Sequence, residues 1–165
     1  MAEEAWLSGK LEGFAPVLMP AAHALSQAIT DLEKTAAHLS GEELSAKPNG
    51  AASIAFHLRH IAGSANRLLT YARGENLSAA QFEFLKTETA EASAASAKEL
   101  VDAAVSAVEE VLEYCKTVSP DSLFEERSVG RKKLPTNVFG LLFHIAEHTA
   151  RHVGQIITTA RIVRK

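Results

Sequence analysis

The feature that most constrains this chain is the recurrence of apolar residues at helical spacing in four separate segments. In the clearest of them, about residues 52–73, apolar residues recur three or four positions apart, namely Ile54, Leu58, Ile61, Ala65, Leu68 and Ala72. This spacing places them on one face of an α-helix. Because β-branched runs hardly occur and 165 residues suffice for one packed core, we expect an all-α protein with a single domain over residues 1–165.

Three further segments carry similar stripes. The first predicted helix covers about residues 20–39, and the third opens at Ser96, which has capping-box spacing with Glu99. The fourth starts near Thr136, a predicted N-cap, and ends at the basic sequence "RIVRK". Four amphipathic helices of about 20 residues pack most simply as a four-helix bundle, in which ligand sites lie between helices.

Two long connections separate these helices. The connection between helices 2 and 3, residues 74–95, contains "AAQFEFLKT", which is compatible with a short helix or with an irregular packed strap. The connection between helices 3 and 4, residues 119–135, contains two prolines, a glycine and many charges, which favours a loop or a small hairpin. Long loops of this kind in compact domains are often functional.

Composition narrows the possible partners and location. Seventeen basic residues against 20 acidic ones give a net charge of −3, so we expect no nucleic acid partner. The acidic start "MAEEAWLSGK" lacks a leader's apolar core, and no stretch approaches the roughly 18 apolar residues of a membrane span. The single cysteine, Cys115, lies among apolar residues, which predicts a buried thiol. We expect a cytoplasmic protein with a small-molecule substrate and no membrane partner; a homodimer is compatible with this fold.

The stretch "HIAEHTARHVGQI" sets His144, His148 and His152 at four-residue intervals on one side of the last predicted helix. His148 and His152 lie near the edge of its apolar stripe, whereas His144 lies farther out. Two imidazoles at positions i and i+4 can share one transition metal, although two ligands are too few for a stable site.

A third ligand is available from "FHLRHIAG" in the second predicted helix, which contains His57 and His60. Periodicity slightly favours His57, because it lies nearer the apolar stripe. Hydrogen-bonded histidines at a bundle edge, or a metal-free pH switch, remain alternatives at this point. His23 and His38 are expected at the surface.

The sequence "HTARHVGQI" resembles the last-helix signature of the DinB-like superfamily, a pair of histidines four apart followed by one residue and then Gly-Gln. "SIAFHLRHIAG" is similar to the second helix of that family, and this alignment selects His60. The resemblance implies a four-helix bundle that holds a divalent metal with His60, His148 and His152 and leaves coordination positions open. His57 and His144 are additional imidazoles that could support or replace a ligand, and Val153 stands where many members have arginine.

Relatives in this superfamily include transferases and isomerases that use low-molecular-weight thiols. The resemblance therefore implies a metal-dependent thiol S-transferase in detoxification or stress response. A metal-dependent hydrolase and a non-catalytic metal-binding or dimerising helical protein are the alternatives. Zinc and nickel are the foremost metals, and histidine ligands also suit iron and copper.

No catalytic base is assigned by the sequence. Glu147 points away from the apolar stripe, which indicates a surface carboxylate. Gln155 could orient a ligand imidazole or contact substrate. Tyr71 could close one end of the substrate pocket, and an amphipathic aromatic residue at a bundle edge explains it equally well.

Overall fold

The computed structural model describes residues 4–88 and 95–164. Its four long helices are α1 (Met19–Ala36), α3 (Ile54–Ala72), α5 (Ala97–Thr117) and α6 (Val138–Val163). Two short helices, α2 (Gly41–Ser45) and α4 (Ala79–Thr87), lie in the connections. The only strands among the described residues are β1 (Glu126–Val129) and β2 (Leu134–Asn137), which pair as an antiparallel hairpin.

The long helices contact one another in a ring. Helix α1 packs against α5 and α6, and α3 packs against the same two helices. Their shared interior holds fully buried leucine and isoleucine side chains, including Leu25, Leu58, Leu142 and Ile145. Burying each such side chain contributes about 1.5–3 kcal/mol, so these stripes supply most of the driving force for folding. The all-α prediction is confirmed. None of the described helices combines the length and hydropathy needed to cross a lipid bilayer.

Polar caps fix the starts of three of the long helices. The Ser53 hydroxyl accepts from the Phe56 backbone N–H at 3.2 Å and starts α3. Helix α5 starts at the predicted capping box of Ser96 and Glu99. The predicted N-cap of α6 at Thr136 is wrong by one residue, because Asn137 has the extended backbone of a cap and its Oδ1 accepts from the Gly140 N–H at 2.7 Å.

The connections that precede α3 and α5 each contain a short helix. Helix α1 ends at Ala36, three residues before the predicted end, because Ser40 caps the separate helix α2 through a capping box with Glu43.

In residues 74–95 the short-helix alternative is correct, since "AAQFEFLKT" forms α4, none of whose residues is buried. Residues 89–94 of this connection lie outside the described residues.

The second connection adopts the hairpin alternative. The carbonyls of Glu125 and Leu123 accept from the backbone N–H groups of Val138, at 3.3 Å, and Phe139, at 2.7 Å. These are among the first N–H groups of α6, which have no partner within the helix itself. The residues immediately before the hairpin therefore help to fix where α6 begins.

One histidine prediction fails. His23 is 8% exposed rather than on the surface, and its Nδ1 has no partner among the described residues. The segment around Ala5 packs on α1, where the Ala5 N–H donates to Gln27 Oε1 at 2.9 Å, one turn beyond His23. The segment before α1 is thus one of those that pack on this helix, and such tertiary packing cannot be inferred from periodicity within α1. His38 is exposed, as predicted, and Cys115 is a buried free thiol.

Candidate metal centre

The packing of α3 on α6 brings histidines from the two helices together. His60 Nε2 lies 2.9 Å from His148 Nε2, and His57 Nδ1 lies 2.8 Å from His152 Nδ1. One ring nitrogen from each of His60, His148 and His152 falls within 4.8 Å of the other two, which makes them a group that could hold a metal ion. The resemblance implied the same three residues.

The two helices can present these rings because of residue spacing. His57 and His60 are three positions apart on α3, and His148 and His152 are four apart on α6, so each pair lies on one side of its helix. The ring centroids of His148 and His152 are 4.5 Å apart, and those of His60 and His152 are also 4.5 Å apart. The cluster is therefore built across the interface of the two helices.

Burial favours the neutral form of His57, His148 and His152. Desolvation, followed by the charge of His60, lowers the pKa of His152 to about 4. Desolvation first and His60 second also lower the pKa of His57 and of His148. A neutral imidazole offers a lone pair to a metal, so the local environment favours the protonation state that metal binding requires.

Two further side chains orient His60. The Phe56 ring stacks on the His60 ring with an interplanar angle of 14° and a centroid separation of 5.5 Å. His60 Nδ1 lies 3.3 Å from Glu88 Oε2, and Arg67 Nη2 donates to both Glu88 oxygens at 3.1 and 3.2 Å. Glu88 is only 4% exposed.

The ionisation of Glu88 follows from these contacts. Burial alone would raise the pKa of the Glu88 carboxyl, but the hydrogen bond with His60 and the charge of Arg67 outweigh it, and the pKa is lowered. No pattern in the sequence predicts Glu88 as a site residue. It lies 28 positions beyond His60, in the connection after α4, and no spacing rule relates the two.

The other predicted site residues occupy different surroundings. His57 is buried and touches the cluster through His152, as given above, whereas His144 is exposed and lies 2.7 Å from Glu147 Oε1 through its Nδ1. Glu147 also forms an ion pair with Arg151. Burial would raise the pKa of Glu147, but Arg151 and then His144 lower it. His144, Glu147 and His148 form a second group whose atoms could hold a cation.

Gln155 and Tyr71 are the remaining predicted site residues. The Gln155 side chain is exposed on α6. Tyr71 follows His60 by eleven residues, which is about 16 Å along a helix axis, and it lines clefts with hairpin residues that include Arg127 and Val129. The structure does not bring Tyr71 to the histidines.

The donor set fits a divalent transition metal. In a tetrahedral zinc site with Zn–N distances of about 2.0–2.1 Å, ligand nitrogens lie about 3.3 Å apart. The separation of 2.9 Å between His60 Nε2 and His148 Nε2 is close to that value. His148 Nδ1 is buried and has no partner among the described residues, so the polar contact of this ring in this part of the chain is the one from its Nε2 to His60.

The fold and this cluster define the class of protein, an all-α helical protein with a three-histidine group that could bind a metal ion. The sequence profile of the DinB superfamily matches residues 24–156, which includes His57, His60, His148 and His152. The chain belongs to the DinB superfamily, as its motifs suggested. No curated protein matches it significantly.

Proposed function

We propose that this protein is a divalent-metal-dependent enzyme whose metal, zinc or nickel foremost, binds to His60, His148 and His152. The observation that carries the proposal is the convergence of three imidazole nitrogens from α3 and α6 without a fourth His, Cys, Asp or Glu in the same group of described residues. Structural zinc sites usually fill four positions with protein ligands, whereas catalytic sites leave one position open. The open position would serve water or substrate.

The protein's own contribution is to supply oriented imidazoles. His57 engages Nδ1 of His152, which leaves Nε2 of His152 as the nitrogen available for coordination. If Nδ1–H of His152 donates to His57 Nδ1, the Nε2 lone pair of His152 is free. A bound divalent metal would supply Lewis acidity and lower the pKa of a coordinated water or thiol.

The reaction we propose is thiol S-transfer onto an electrophilic small molecule. The thiolate sulfur of a low-molecular-weight thiol forms a C–S bond with an electrophilic carbon, the leaving group departs with its electron pair, and the thiol proton passes to solvent. This class rests on the thiol-using relatives of the superfamily together with the open position. It gives the protein a role in detoxification or stress response.

A non-catalytic metal-binding protein is the second candidate, and a specific observation favours it. The two carboxylates that contact site histidines, Glu88 and Glu147, already form ion pairs with Arg67 and Arg151. Neither is a free general base within the described part of the chain. The same pairing weighs against a metal-dependent hydrolase, which needs a base to take a proton from water.

Metal content of untagged protein, measured by mass spectrometry, tests the binding step. We expect about one metal per chain in the wild type, in the exposed-histidine control His38→Ala and in His57→Ala, since three ligands suffice for an open site. The metal is expected to be lost in His60→Ala and His148→Ala. A wild-type protein that binds neither zinc nor nickel would contradict the proposal.

Turnover is tested separately. Metal-loaded protein is mixed with low-molecular-weight thiols and an electrophile panel, and thiol consumption is followed. Consumption that disappears in His148→Ala and persists in His38→Ala supports the transferase. A fully loaded protein without turnover on the panel favours the non-catalytic candidate.

A further inference from the structure

We infer that Glu88, held by Arg67, is a positioning residue that fixes the tautomer and orientation of His60 so that the Nε2 lone pair faces His148 and His152. This inference rests on the proposed metal site. It assigns a function to the connection between α3 and α5, for which the helical stripes predict none.

The two nitrogens of His60 face different partners. Nδ1 lies 3.3 Å from Glu88 Oε2, whereas Nε2 lies 2.9 Å from His148 Nε2. A neutral imidazole carries one N–H and one lone pair, and an ionised carboxylate can only accept a hydrogen bond. The proton of His60 is therefore placed on Nδ1 and the lone pair on Nε2. Metal-binding histidines commonly have such a partner on their other nitrogen.

Arg67 keeps the carboxylate ionised and in place. Its Nη2 contacts both oxygens of Glu88, and the Glu88 and Arg67 residues are only 4% and 9% exposed. A buried ion pair is weak support for stability, because desolvation of the two charges offsets much of their attraction. Stability alone therefore does not account for a buried Glu–Arg pair beside His60, whereas orientation of that ring does.

The backbone of α3 has room for this carboxylate because residue 63 is glycine. A Cβ at Gly63 would lie 2.4 Å from Glu88 Oε1, 2.6 Å from Arg67 Nη1 and 2.6 Å from Phe84 Cε1. Glycine in the interior of a helix is unfavourable relative to alanine. Close approach of the pair to α3 gives a physical reason for glycine at this position.

The connection itself is anchored by Glu88. No residue of α4 is buried, and between Gly74 and Ala95 Glu88 is the one buried side chain that the structure describes. Polar contacts hold the rest of α4, including Gln81 Nε2, which donates to Asn66 Oδ1 and Thr70 Oγ1 at 2.7 Å each. The deepest contact of this connection is thus the one with His60 and Arg67.

The first test is metal affinity, measured with zinc alone in competition with a chelating dye. We expect Glu88→Ala to weaken zinc binding by about 10–100-fold, the usual effect of losing such a partner. Glu88→Gln should weaken it less, because its amide oxygen can still accept from Nδ1–H without the charge. Matched controls are Glu83→Ala and Glu83→Gln, since Glu83 is an exposed glutamate of α4 paired with Lys86. They are expected to bind zinc as the wild type does.

The second test needs no metal and separates orientation from a merely structural role. Long-range ¹H–¹⁵N NMR spectra of the metal-free protein report which His60 nitrogen carries the proton. We expect the Nδ1–H form in the wild type and in Glu83→Gln, and a rise of the Nε2–H form in the Glu88 variants. If Glu88→Ala does not fold, the isosteric Glu88→Gln decides the question by both readouts.

The outcomes distinguish this inference from the proposed function. Wild-type protein that binds no zinc or nickel overturns the proposed metal site itself. Wild-type protein that binds zinc, with folded Glu88 variants of unchanged affinity, overturns the role of Glu88 alone. An Nε2–H tautomer of His60 in the metal-free wild type also overturns it.

Discussion

Two faces of α3 are built from residues at the same helical spacing, but the two faces have different roles. The apolar face lies against the core, and its members are Ile54, Leu58, Ile61, Ala65 and Leu69. About 120° around the helix, at 100° per residue, a polar stripe faces α6 and the Glu88 connection, and its members are His57, His60, Ser64 and Arg67. The apolar face gains free energy by leaving water, whereas each polar group must recover its desolvation cost from a partner. The first face therefore stabilises the fold, and the second depends on that stability.

The largest expected difference between these faces appears in metal binding. Replacing a ligand removes more than the 10–100-fold lost with an outer partner, so His148→Ala should weaken zinc affinity by about 1,000-fold or more, or about 4 kcal/mol. The stability of the metal-free protein should change much less, because His148 Nδ1 has no partner among the described residues and the variant removes a single polar contact, that of Nε2 with His60 at 2.9 Å. Calorimetric titration and urea unfolding measure the two quantities. Retained affinity would contradict the comparison, and the exposed His38→Ala serves as the control.

Leu58→Ala is expected to show the reverse pattern. Leu58 is fully buried, and truncation of such a leucine costs about 2–5 kcal/mol through lost transfer energy and the cavity that remains. Zinc affinity of the folded protein should stay close to that of the wild type. Leu68→Ala, at a half-buried position of the same helix, should cost less in urea unfolding. Equal losses at the two positions would contradict the assignment of the apolar face.

The N-cap Ser53 starts the helix that carries both faces. We expect its removal to have a smaller effect than the two preceding substitutions, and to act mainly on the free energy of unfolding. Ser53→Ala removes the hydroxyl that accepts from Phe56 N–H and should lower the free energy of unfolding by about 1 kcal/mol. Ser78 caps α4, none of whose residues is buried, and Ser78→Ala should lower global stability less. A comparison of the two melting curves checks this order, which a larger loss in Ser78→Ala would reverse.

The smallest expected effect concerns Cys115, on the apolar face of α5. Burial raises the pKa of its thiol from 9.0 to about 12, so the folded protein keeps the thiol protonated over a range where the unfolded chain loses the proton. Its contribution to stability is full below pH 9.0 and is lost as the pH rises toward about 12. At about pH 8, iodoacetamide should label Cys115 only after unfolding. Rapid labelling of the native protein would show that Cys115 is accessible in the folded state.

The sequence predicts most of the apolar face of α3, because that face depends on spacing within one helix. Leu68 was predicted on this face but is half-buried, and Leu69 is the buried leucine at this turn. The histidines of α6 follow the same rule, and the family motif adds His60. Glu88 could not be predicted, because its contact with His60 joins segments related only by the folded chain. The burial of His23 was also not predicted, since it depends on the packing of other segments against α1 rather than on spacing within that helix.

Local signals also failed where two caps competed. Thr136 and Asn137 are both good N-cap residues, and the pairing of β2 with β1 continues through Asn137, which makes Asn137 the last strand residue before α6. Similarly, periodicity extended α1 through Leu39, because it does not register the capping box at Ser40 that starts a new helix. Such boundaries depend on backbone hydrogen bonds rather than on hydrophobicity.

The hairpin before α6 has a consequence for how chain length can vary in relatives. Its stem ends one residue before α6, and the carbonyls of Leu123 and Glu125 hold the first N–H groups of that helix. An extra residue between β2 and Val138 would turn α6 by about 100° and carry His148 and His152 away from α3. The exposed turn at residues 130–133 has no such coupling. Insertions are therefore expected to accumulate in the turn, whereas the length of β2 sets the phase of the histidine face.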